Sequence, residues 1–142
     1  MRARPRVDVH VPSNEDVEAE WVRGVAERVL EGESYDGGGV LSIVLLGDDE
    51  IRRLNAAYLN RDRPTDVLAF PYAEDGDEVW GEVYVSVDRA REQAEDYGVT
   101  REEELARLII HGVLHLTGYD DQDASSRERM RLRENEYLEH GS

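Results

Sequence analysis

Thr100-Arg101-Glu102-Glu103-Glu104-Leu105-Ala106-Arg107-Leu108-Ile109-Ile110-His111-Gly112-Val113-Leu114-His115-Leu116-Thr117-Gly118 reads as one helix with both of its ends specified. Thr100 and Glu103 form a capping box, in which each side chain satisfies the other residue's orphan backbone N–H. Leu105, Leu108, Ile109, Val113 and Leu116 recur at helical spacing and make an apolar face. Gly118 marks the stop, because glycine takes a left-handed turn without steric cost. Immediately upstream, Trp80 to Ser86 reads as a strand and Val87 to Tyr97 as a helix stopped by Gly98. Downstream, Ala124 to His140 reads as a last helix with Met130, Leu132, Tyr137 and Leu138 as its apolar residues.

The same reading extends to the N-terminal half. Arg6 to Val11 alternates apolar and polar residues, as a half-buried strand does. Pro12-Ser13-Asn14 ends it and offers a helix cap. Val17, Trp21, Val25 and Val29 then share a face, which predicts an amphipathic helix over 14–31. Val40 to Leu46 is a buried strand. Asp48 and Asp49 favour the start of a second helix with Ile51, Leu54 and Tyr58 inward. Asn60 to Pro64 is a loop, Thr65 to Tyr72 a strand, and Glu74 to Glu78 an acidic turn. The predicted class is α+β: a small mixed sheet of about four strands packed with about five helices.

The bulk composition narrows the function. A chain of 142 residues suits one domain over 1–142. It has no cysteine, so any metal site must use imidazole, carboxylate and water. No apolar run is long enough to span a bilayer, and the Arg-rich start lacks the apolar core of a signal peptide. These features predict a cytoplasmic protein with no membrane association. There are 33 acidic residues against 17 basic ones, all arginine, for a net charge of −16. Such a charge repels nucleic acid at long range, although a local arginine cluster can still meet phosphate within a Debye length. An acidic surface is also what a salty cytoplasm favours.

The chemistry is concentrated in His111-Gly112-Val113-Leu114-His115-Leu116-Thr117-Gly118-Tyr119-Asp120-Asp121. Four residues apart on a helix, His111 and His115 stand one turn above the other, about 40° apart around the axis. Two imidazoles so placed can hold one metal ion, in the manner of a zincin-like helix. The turn at Gly118 can return the chain and bring Asp121 toward them as a third ligand, leaving a position for water. Zn2+ is the expected ion, one per chain, with another divalent metal as the alternative. The expected nucleophile is a zinc-bound water of lowered pKa. Asp120 and Asp123 compete for the third position, and spacing does not choose among the three. The bland alternative is that both histidines merely hydrogen-bond on a half-buried face. Zinc peptidases place a glutamate directly after the first histidine. Gly112 stands there, which disfavours peptidase chemistry unless a residue such as Glu82 substitutes.

These residues resemble the YbeY family, whose signature His-Gly-x-Leu-His-Leu-x-Gly-Tyr-Asp is followed by a third histidine. The blocks Leu54 to Tyr58, Asp62 to Phe70 and Gly81 to Ser86, and Met130 with Glu134 and Glu136, keep the family's order. The resemblance implies a zinc-dependent, single-strand-specific endoribonuclease. It would act in rRNA maturation at the 3′ end of small-subunit rRNA and in ribosome quality control. Its partners would be rRNA and the small ribosomal subunit, with no DNA. Two positions depart from the pattern. Asp121 replaces the usual third histidine, and a carboxylate oxygen remains an acceptable zinc ligand. Leu59 replaces an arginine common in the family, leaving Arg61 and Arg63 as the nearest guanidinium groups for a substrate phosphate. Both also fit the commoner description of solvated loop residues. On the last helix, Arg127, Arg129, Arg131 and Arg133 form either an RNA-facing strip or a set of local ion pairs with interspersed glutamates.

Overall fold

The computed structural model describes residues 5–35, 37–59, 66–71, 79–119 and 122–140. In chain order the elements are β1 (Arg6–His10), α1 (Ala19–Gly32), β2 (Val40–Leu46), α2 (Asp48–Leu59), β3 (Val67–Pro71), β4 (Val79–Ser86), α3 (Val87–Tyr97), α4 (Arg101–Leu116) and α5 (Ala124–His140). The four strands form one sheet in the order β1-β2-β4-β3. β1, β2 and β4 run parallel, and β3 pairs antiparallel to β4 at the edge. The α+β class with a mixed sheet therefore holds.

Strand periodicity divides the core in two. Leu41, Ile43 and Leu45 of β2 and Val83 and Val85 of β4 enter a large cluster with Val25 and Val29 of α1 and Leu105, Ile109 and Val113 of α4. The alternate residues Val44, Leu46 and Tyr84 meet Ile51 and Leu54 of α2 in a smaller cluster. A strand with apolar residues on both faces, such as β2, is what a covered parallel sheet requires.

Most predicted elements lie where expected, and α1 is the main correction. It starts at Ala19 rather than residue 14, and its N-cap Glu18 makes no side-chain capping bond. The segment before it is held in an irregular path by other elements. Glu15 ion-pairs with Arg91 of α3, and the carbonyl of Asp16 accepts a 2.8 Å bond from the Arg101 guanidinium. Those tertiary contacts outweigh the weak cap that Ser13 or Asn14 offers. The loop over 60–64, the turn over 74–78 and the side chain of Tyr58 lie outside the described residues.

Candidate metal centre

α4 carries the site, and its ends behave as the sequence indicates. The Thr100–Glu103 capping box is formed in both directions. At the other end Gly118 has φ +116°, the Tyr119 N–H donates to the Leu114 carbonyl at 3.1 Å, and the Gly118 N–H donates to the His115 carbonyl at 3.2 Å. This pair of bonds is a Schellman stop. It turns the chain off the helix axis at Gly118, three residues after His115.

The helix lies very close to the sheet. A methyl group at Gly112 would sit 2.5 Å from Val83 Cγ1, and one at Gly81 would sit 2.8 Å from Leu116 Cδ1. Position 112 thus faces β4, while Glu104, Arg107, His111 and His115 share a neighbouring flank of α4. A glutamate at 112 would be driven into the core. Glu82, next to Val83 in β4, points to the opposite face of the sheet by strand alternation. The notion that Glu82 supplies the missing peptidase base therefore fails on geometry.

His111 and His115 have ring centroids 4.8 Å apart at an interplanar angle of 75°. Two imidazoles on one tetrahedral ion place their ring centres roughly 5 Å apart, given metal–nitrogen bonds of about 2 Å. The pair therefore fits a shared divalent ion. Neither ring is fully buried, and the His111 side chain is 22% exposed. Among the described residues, no group of three His, Asp or Glu side chains is assembled for a metal. Of the three aspartates considered as third ligand, Asp123 is committed elsewhere. It caps the start of α5, where its Oδ1 accepts a 2.7 Å bond from the Ser126 N–H and its carbonyl accepts from the Arg127 N–H. The Ser126 hydrogen bond holds its carboxyl below the usual range. Asp120 and Asp121 lie outside the described residues, as do Arg61 and Arg63.

Behind the histidines runs a network of charged groups that the sequence reading did not identify. Glu134 of α5 is only 5% exposed, and its Oε2 lies 2.5 Å from His111 Nδ1. Its other oxygen lies 3.8 Å from Arg107 Nη1. Arg107 is itself gripped by Glu104, with Nε donating to Oε1 at 2.9 Å and Nη2 donating to Oε2. Glu104 is 2% exposed. Its hydrogen bond and charge hold the Arg107 guanidinium above its ordinary pKa. One signal in the sequence pointed here: Glu134 follows Met130 by four residues and Tyr137 follows Glu134 by three, which places a carboxylate on the apolar stripe of α5.

The arginines of α5 divide. Arg131 pairs with Glu128, and Arg133 pairs with Glu136 and with Glu33, which caps the end of α1. For these two the ion-pair description holds. Arg129 lines a cleft with Thr117, Gly118, Tyr119 and Ser126, beside the turn that ends α4.

The fold and site define a small mixed-sheet α+β protein that presents an imidazole pair from a helix laid across the sheet. The family model for endoribonuclease YbeY matches residues 7–142. The endoribonuclease YbeY of Salinibacter ruber is 36% identical over 137 residues, spanning 91% of this chain and 87% of that protein. That of Flavobacterium psychrophilum is 38% identical over 121 residues, spanning 85% and 84%. The solution structure of TM1509 from Thermotoga maritima superposes with a TM-score of 0.66 at 32% identity, covering 95% of this chain and 87% of that one. The chain belongs to the YbeY family.

Proposed function

We propose that this protein is a divalent-metal-dependent endoribonuclease that cuts single-stranded RNA. In this reading it acts in rRNA maturation at the 3′ end of small-subunit rRNA and in ribosome quality control, in the cytoplasm, with rRNA and the small subunit as partners. The observation that carries the reading is the imidazole pair, 4.8 Å apart on one flank of α4, in a chain that belongs to a family of endoribonucleases. His111, His115 and Asp121 would hold the ion, expected to be Zn2+. When bound, such an ion supplies Lewis acidity toward a phosphodiester and lowers the pKa of a water. His111 and His115 would hold such an ion beside the sheet, because Gly112 and Gly81 let α4 seat against β4. The Schellman turn ends the helix at Gly118, three positions before Asp121 in the sequence. Arg61 and Arg63 are proposed phosphate contacts, offsetting the repulsion between an acidic protein and RNA.

The test uses purified protein and a single-stranded RNA. Wild type should cleave it, a chelator should abolish cleavage, and His115→Ala should lose both metal and activity. Equal cleavage by wild type and His115→Ala would assign the activity to a contaminant. Leu59 favours a second reading, because an arginine commonly found there in the family is missing. On that reading the protein is a ribosome-assembly factor whose metal is structural. Ribosome association that survives His111→Ala, with no detectable cleavage by wild type, would select it.

A further inference from the structure

We propose that Glu134 is the positioning residue of the site: it fixes the tautomer and ring orientation of His111, with the Arg107–Glu104 pair supplying positive charge beside it. The inference rests on the metal-site reading above and extends it to the groups behind the ligands.

Glu134 is ion-paired with Arg107, but its hydrogen bond goes elsewhere. The hydrogen bonds of Arg107 go to Glu104, through both Nε and Nη2. Glu134 receives only a 3.8 Å approach from Arg107 Nη1, beyond hydrogen-bond range. Its close contact, at 2.5 Å, is with His111 Nδ1. A carboxylate buried to this degree is costly unless it is hydrogen-bonded. Here the imidazole provides that bond and the guanidinium provides the nearby charge.

The chemical consequence follows from the two ring nitrogens. A carboxylate accepts, so the proton of a neutral imidazole must reside on Nδ1, which puts the lone pair on Nε2. Nε2 is then the atom that His111 offers to an ion shared with His115. Without the carboxylate the ring would lose the acceptor that holds its proton on Nδ1. Outer carboxylates of this kind typically contribute about 10–100-fold to metal affinity. Glu104, Arg107 and His111 follow one another along the same flank of α4, and Glu134 reaches across from α5. The guanidinium of Arg107 also lies 5.7 Å from the Tyr97 ring centre, within cation–π range.

The test has two readouts on the full chain. In metal-free, 15N-labelled protein at a pH where the imidazoles are neutral, long-range 1H–15N spectra report the His111 tautomer. Wild type should show the Nδ1–H form, and Glu134→Ala should shift toward Nε2–H. Zn2+ affinity is then measured by competition with a chromophoric chelator. Glu134→Ala should lose about 10–100-fold. Glu134→Gln, whose carbonyl still accepts from Nδ1–H, should recover most of the loss. Urea denaturation of each variant separates these effects from stability. A merely structural role would lower stability while leaving the tautomer and the Zn2+ affinity of the folded protein unchanged, and that result overturns the proposal. Should Glu134→Ala fail to fold, wild type and Glu134→Gln decide, since a wild-type His111 in the Nε2–H form is equally fatal. Wild type that binds no Zn2+ refutes the metal reading instead, and the tautomer measurement still judges Glu134.

Discussion

Gly112→Ala is the sharpest probe of how α4 is seated. On helix propensity alone the change should stabilise the protein by about 1 kcal/mol, since glycine is the poorer helix former. The structure opposes this. The new methyl would lie 2.5 Å and 3.2 Å from the two Cγ atoms of Val83 and 3.3 Å from Val67 Cγ2. Val83 is fully buried and β-branched, so it has little room to rotate away. Overpacking of this kind costs about 1–3 kcal/mol. With a contact this short the upper part of that range applies, for a net destabilisation of about 1–2 kcal/mol. Urea unfolding should record it directly, and thermal unfolding should show a fall of about 3–6 °C for a domain of this size. Adding Val83→Ala removes the obstructing methyls. The double variant should therefore cost less than the two single changes together, by about 1 kcal/mol or more. A stabilised Gly112→Ala protein, or strict additivity in the cycle, would refute the close seating of α4 on β4.

Two other positions test different physics. At Gly118 an added methyl meets nothing within 4 Å, so any cost of Gly118→Ala is purely conformational and comes from φ +116°; about 1–2 kcal/mol should be lost, which a denaturant titration would measure, and an unchanged midpoint would argue against the left-handed stop. Tyr137 donates its hydroxyl to Glu33, and burial with that carboxylate raises its pKa above the ordinary 10.0. A phenol raised in the folded state contributes stability that is fully present below pH 10.0 and is lost as pH climbs toward the folded value. Tyr137→Phe should therefore be less stable than wild type at neutral pH and should lose less stability on the alkaline side; parallel curves for the two proteins would remove Tyr137 from that role.

Much of this molecule was legible before any coordinates. Where a signal is local, sequence reading and structure agree. The Thr100 capping box, the Gly98 and Gly118 stops, and the period-2 and period-3.6 patterns placed α3, α4, α5 and β2 within a residue or so of their observed bounds. The four-residue spacing that puts His111 and His115 on one flank of α4 is equally local, because helix geometry settles it. The disagreements arise where distant groups compete. α1 begins five residues late because Arg91 and Arg101, remote in sequence, hold the preceding segment.

The same division runs through the site. Residue types and spacing alone determined that cysteine chemistry is excluded, that two imidazoles share a helix flank, and that a turn follows them. Only the tertiary structure decided that Gly112 and Gly81 are there for close packing and that Asp123 is spent as a cap. It alone brought Glu134, 23 residues beyond His111 in the chain, to within a hydrogen bond of that ring. Backbone geometry is written in neighbouring residues. The partner of a buried charge is chosen by whichever elements the folded core presses together, and no short stretch of chain contains that information.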